Sequence, residues 1–206
     1  MPERERRDQD RPRRRPPRRE RDFAAIRGGE DAALRRRILS AAAEIFAARG
    51  FAAASIDEVA KRLGATKGLV YHRYRSKGEL LADVCEAGLT SLAARAEAIA
   101  DRRERAIARL TGAANLHAAA VLADIALHRT LAGATSGMAV ATLRGSEAKA
   151  LASIVEQRGR YDAIFTRLIT DTVEERDLPS GRDTAMLGRI FVTALDAPIL
   201  WPQDSV

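Results

Sequence analysis

The stretch Ser55-Ile56-Asp57-Glu58-Val59-Ala60-Lys61-Arg62-Leu63-Gly64-Ala65-Thr66-Lys67-Gly68-Leu69-Val70-Tyr71-His72-Arg73-Tyr74 decides the fold. Ser55 with Glu58 three residues later has the form of a capping box: the serine hydroxyl accepts from the Glu58 amide, and the carboxylate reaches back to the Ser55 amide. The spacing predicts a helix over 56–63, stopped by Gly64, because glycine takes the left-handed conformation of a helix end without a Cβ penalty. Ala65 bridges, Thr66 is placed to cap, and a second helix should run from Lys67 to about Tyr74. Two short helices joined by a tight glycine turn form a helix-turn-helix, whose second helix enters the major groove of DNA with its N-terminal residues against the base edges.

Upstream, Leu34, Ile38, Ala41, Ala42, Ile45 and Phe46 recur at helical spacing between Glu30 and Arg49, and Gly50 supplies a stop. Downstream, Ser76 and Glu79 suggest another capping box, opening a long helix through Leu80, Leu81, Val84, Leu89 and Leu92. The segment from Arg35 to Leu81 resembles the DNA-binding domain of the TetR family of transcriptional regulators. The resemblance is carried in register by Phe46…Gly50-Phe51, Ser55, Val59-Ala60…Gly64, Lys67-Gly68…Tyr71-His72…Tyr74, and Ser76-Lys77 before Leu80-Leu81. Val70 and Tyr74 depart from the commoner Leu or Ile and Phe, and both keep an apolar anchor.

The resemblance implies an all-α fold, with an N-terminal three-helix helix-turn-helix DNA-binding domain (residues 27–75) followed by a helical effector-binding and dimerisation domain (76–206). Within the first, Thr66, Lys67 and Gly68 should meet base edges. Lys67 is the candidate guanine reader, and Gly68 lacks a side chain that would hold the backbone away. Tyr71, His72 and Arg73 are placed to reach phosphates on the groove's rim, which positions without specifying. Ser55 and Lys77 begin helices, where free amides and the positive dipole end favour phosphate.

Charge agrees with this division. Residues 1–75 carry 20 Lys and Arg against 11 Asp and Glu, whereas the remainder carries 15 against 17, so the basic partner-binding function is expected near the N-terminus. Residues 1–26 read as a disordered Arg/Pro-rich arm; Arg11 to Arg19 could lie along a phosphate backbone, or could be only a solubilising leader. With 46% hydrophobic but 4% aromatic residues over 206, a helical interior of small side chains is expected rather than an all-β fold. The longest uncharged stretch, Thr130 to Leu143, is too short and too polar to span a bilayer, so a cytoplasmic protein without a membrane partner is expected. A single cysteine, Cys85, shows no metal-ligand spacing with His72, His117 and His128, so neither metal nor cofactor is expected. The chain shows no nucleophile elbow, phosphate-cradling glycine loop or paired metal-ligand motif, and an enzyme is not expected.

In the second half, helical breaks are expected near Asp101, at Gly133 to Gly137 and at Gly145-Ser146. A long helix then carries Leu151, Ile154, Val155, Tyr161, Ile164, Phe165, Leu168, Ile169 and Val173, and a last one runs from about Arg182 to Trp201, its final turn distorted by Pro198. The resemblance implies that these two helices pair with their copies in a homodimer that reads a palindromic operator, the seam including Ile164, Leu168, Ile190, Phe191, Leu195 and Ile199. It also implies a small apolar effector that releases a repressor from DNA, bound among Leu110, Leu116, His117, Val121, Ile125, His128, Arg129 and Met138, with Asn115 and Arg144 as further polar candidates. The end of the chain, from Arg160-Tyr161 through Phe165 to Leu195 and Trp201-Pro202, resembles regulators of fatty-acid or sterol breakdown, which implies an acyl-CoA thioester as effector. The competing reading is a nonspecific, nucleoid-associated DNA-binding protein using the arginine-rich arm.

Overall fold

A computed structural model describes residues 18–135 and 143–201. Among the described residues the structure is helical without strands: α1 (Arg18–Ala53), α2 (Ile56–Leu63), α3 (Lys67–Arg73), α4 (Lys77–Ala100), α5 (Ala106–Ala123), α6 (Ile125–Thr135), α7 (Gly145–Glu174), α8 (Thr184–Leu195) and a short 3-10 turn over Ala197–Leu200. The chain divides into two compact units, residues 1–36 and 37–206. The second holds both candidate sites described below.

The local signals translate directly into elements. Gly50 breaks α1 with φ 72° and ψ 158°, a conformation closed to most side chains, so the chain turns there before its last helical residues. The Ser55–Glu58 capping box is complete: the Glu58 amide donates to Ser55 Oγ at 3.2 Å and the Ser55 amide to Glu58 Oε2 at 3.0 Å. Gly64 closes α2 in the left-handed conformation (φ 68°), and its amide donates to the carbonyls of Ala60 and Lys61.

Several expectations are corrected. α1 begins at Arg18 rather than near Glu30, which places residues 18–26 of the expected arm in a helix; Arg, Glu and Ala there are good helix formers. The rest of that arm lies outside the described residues. Thr66 occupies the N-cap of α3 without a side-chain capping bond. Ser76 caps α4, but Glu79 reaches past it to the Arg75 amide at 2.8 Å, so the second capping box is only half formed. The apolar middle is not one helix: Asp124 interrupts it, its carboxylate accepting from the Leu127 amide at 2.9 Å to start α6. The last helix starts at Thr184, capped by Asp183 on the Met186 amide at 2.9 Å, and gives way after Leu195 to the 3-10 turn containing Pro198.

The core of the 37–206 unit is built mainly from α4, α5 and α7, with α8 on α7. Leu80, Leu81, Val84, Leu89, Leu151, Phe165 and Leu168 are buried there. One helix crossing depends on glycine. A Cβ at Gly188 would lie 3.0 Å from the Thr166 Cα, so α8 approaches α7 closer than alanine would allow. By length and apolarity α5 could cross a membrane. Its packing against α4 and α7, and its buried, hydrogen-bonded His117, are those of a core helix.

Candidate nucleic-acid interface and effector-domain sites

α3 is held by its inner face. Val70 and Tyr74 are buried where α3 packs on α2, whose Ile56, Val59 and Ala60 are buried too, and the Tyr74 hydroxyl donates to Asp83 Oδ2 at 2.5 Å, tying the end of α3 to α4. Period 3.6 then fixes what faces outward: Thr66, Lys67, Gly68, Tyr71 and His72 form one exposed edge, with Tyr71 47% exposed. Space is open where a Cβ on Gly68 would stand, so its backbone is accessible from outside. Arg73 is partly buried at the end of this helix.

Lys67 forms an ion pair with Asp57 across the turn, and that partner raises its pKa. The lysine is open to solvent, which screens the pair, so it opens readily toward a better acceptor. Ser55 is occupied: its hydroxyl bond to Glu58 is the main reason that carboxyl sits below its ordinary pKa. Lys77 is placed differently from the sequence expectation of a phosphate contact. Its ammonium donates to the carbonyls of Phe51 (2.6 Å), Ala52 (3.0 Å) and Ala54 (2.9 Å) and stands 4.5 Å from the Phe51 ring centroid. Three donors meet three acceptors, so this lysine caps the end of α1 and ties it to the start of α4. Nothing in its spacing distinguished a carbonyl cap from a phosphate contact.

Residues 38–84 match the family of bacterial regulatory proteins, tetR family. Over that segment the chain is similar to the TetR family. The chain is 44% identical over 61 residues to the HTH-type transcriptional repressor SCO4008 of Streptomyces coelicolor, covering 30% of this chain and 32% of that protein. It is 43% identical over 47 residues to the HTH-type transcriptional regulator SrpR of Pseudomonas putida, covering 23% and 22%. The matches thus span about a fifth to a third of these relatives' length. Beyond these segments the likeness is of fold alone. The ketosteroid transcriptional regulator KstR2 of Mycobacterium tuberculosis superposes with a TM-score of 0.72 at 20% identity over 84% of each chain. PfmR of Thermus thermophilus, a TetR family regulator, does so with 0.67 at 24% identity over 80% of this chain and 84% of its own.

In the C-terminal helices the expected ligand residues scatter. Leu110 and Val121 are core, Leu116 and Ile125 half-buried, and Met138 lies outside the described residues. Asn115 and Arg144 are exposed. Arg129 donates to the Ile199 and Trp201 carbonyls at 2.7 and 3.0 Å, holding the chain beyond α8. His117 is fully buried: its Nε2 donates to Asp196 Oδ1 at 3.0 Å, since a carboxylate only accepts, and the Tyr161 hydroxyl then donates to its Nδ1 at 2.7 Å. Burial would raise the Asp196 carboxyl, but hydrogen bonds from His117 and Arg158 outweigh it and hold that group below its ordinary pKa. Arg158 donates to Asp196 at 2.6 Å and to Asp162 at 2.7 Å. His128 is also buried, and its Nδ1 has no hydrogen-bond partner.

The expected seam also divides. Ile164 and Leu168 are buried within the protomer, so they are core and not seam, because that stripe of α7 packs into the α4–α5–α7 core. Phe191 turns inward, its ring 6.1 Å from that of Phe165, and Leu195 and Ile199 are half-buried. Ile190 is 53% exposed, and Met186, one turn before it, is exposed too.

Proposed function

We propose that the protein is a transcriptional repressor that binds a palindromic operator as a homodimer and leaves it when a small molecule occupies the C-terminal helices. The observation that carries this reading is the division of α3 into two faces. Val70 and Tyr74 fix it to the protein, while Thr66, Lys67, Gly68, Tyr71 and His72 are presented together on an exposed edge with no apolar partner. That arrangement suits a helix entering a major groove, with Lys67 and Thr66 toward base edges and Tyr71, His72 and Arg73 toward flanking phosphates. Reading a palindrome requires two such helices related by a twofold axis, and Met186 with Ile190 on α8 supplies an exposed apolar stripe for the second copy.

For the effector, the acyl-CoA reading draws support from fold neighbours named as ketosteroid and fatty-acid metabolism regulators. The test of the function is a footprint on the DNA upstream of the protein's own gene, repeated with excess unrelated DNA at physiological salt. A protected twofold-symmetric site that survives the competitor is the expected result. Uniform protection abolished by the competitor would instead support the nucleoid-associated reading.

A further inference from the structure

The exposure of Leu69 extends the proposal to the base chemistry that α3 reads, and so rests on the regulator reading. Leu69 is 38% exposed, and Tyr71 47%. Among the described residues before Ile107 these are the exposed large apolar side chains, and both belong to α3. Their placement follows from the helical period. Val70 is fully buried and points into the protein. At about 100° per residue, Gly68 and His72 then straddle the line opposite to it, and Leu69 and Tyr71 flank that line on its two sides. Gly68 offers no side chain, and the space beside its backbone is open. The outermost strip of α3 is therefore low, bordered on one side by an isobutyl group and on the other by a phenol.

An aliphatic side chain hydrogen-bonds neither a phosphate nor a base. In the major groove the apolar feature it can meet is the 5-methyl group of thymine, which distinguishes that base from the bare C5–H of cytosine. The surroundings of Leu69 fit a polyanionic groove rather than an apolar protein partner: Thr66, Lys67 and His72 are exposed around it, and α3 carries no acidic residue. We infer that Leu69 is a specificity-determining residue that packs on a pyrimidine 5-methyl group, of thymine or of 5-methylcytosine, in each half-site of the operator. The contact removes from water the apolar surface that Leu69 leaves exposed in the free protein, and one buried methyl is worth about four-fold in affinity. Leucine is short, so the contact needs a close approach of the helix. The open space at Gly68 permits it, because no Cβ stands there between the backbone and the groove floor.

The test is a fluorescence-anisotropy titration of the full chain on synthetic duplexes of the footprinted operator. In one series each thymine of one half-site is replaced in turn by deoxyuridine, which removes only the methyl group. In the other each cytosine is replaced in turn by 5-methylcytosine, which adds one. The wild type is compared with Leu69→Ala and with Leu69→Met, which keeps an apolar side chain of similar volume; circular dichroism verifies that both fold, as expected for an exposed position. The expected result for the wild type is a loss of about four-fold at one thymine, or a gain of that size at one cytosine, kept by Leu69→Met and abolished by Leu69→Ala. A wild type indifferent to every methyl would overturn the inference. So would a methyl effect that persists undiminished in Leu69→Ala, which would belong to another side chain. A wild type that discriminates the operator from unrelated duplexes while ignoring the methyls sinks this inference alone, whereas one that binds both equally sinks the regulator reading with it.

Discussion

The Lys77 ammonium donates to the Phe51 carbonyl at 2.6 Å while standing 4.5 Å from the same residue's ring centroid, so one side chain at the start of α4 both caps and clamps the end of α1. α3 lies between those two elements in sequence. Its orientation is therefore set by a joint that Lys77 closes on one side and the Tyr74–Asp83 hydrogen bond closes on the other.

Lys77→Met should lower stability by ~1–3 kcal/mol, because carbonyls at the end of α1 lose a charged donor. The slope of log affinity for operator against log salt should stay at its wild-type value. A slope reduced by about one would return Lys77 to the phosphate contacts.

Lys67→Ala should cost ~1–3 kcal/mol of specific binding and relax the preference at one base position, with no loss of fold, since its partner Asp57 is exposed. Binding to a set of single-base operator variants measures this. An unaltered preference at every position would remove Lys67 from the readers.

Ile190→Asp should yield a folded monomer that no longer binds the palindrome, whereas Leu168→Asp should fail to fold. The first residue is 53% exposed and the second 0%, so the same charge meets solvent in one protomer and a closed core in the other. Sedimentation and circular dichroism on both variants decide it, and a dimer unaffected by Ile190→Asp would place the seam elsewhere.

Burial, reinforced by the neighbouring His117, pushes the His128 imidazole down from an ordinary 6.5 to about 4. The unfolded chain takes up this proton near the ordinary value while the folded protein refuses it until much lower pH. His128 therefore contributes stability in full above about 6.5, and that contribution declines as pH falls toward about 4. Urea midpoints measured at pH 7.5 and pH 5 should fall further for the wild type than for His128→Phe. Equal falls would show that His128 titrates normally.

The sequence by itself determined the helix-turn-helix. The Ser55–Glu58 box, the Gly64 stop and the Gly50 break are signals within a few residues of one another, and local backbone chemistry is sufficient to place α2 and α3 and to turn Tyr74 inward. What it could not decide was every assignment that depends on which face of a helix meets which neighbour. Lys77 read as a phosphate contact because a helix N-terminus favours phosphate, yet three carbonyls from residues 23 to 26 positions away occupy it. Ile164 and Leu168 belong to a stripe wide enough to serve either a core or a seam, and only the packing of α7 into the α4–α5–α7 core chose the core. The polar cluster of His117, Tyr161 and Asp196 joins residues up to 79 positions apart, a pairing no local spacing encodes. Short-range signals set where helices begin and end; the burial of their faces, and with it the location of the seam, is settled only when distant helices compete for the same surface.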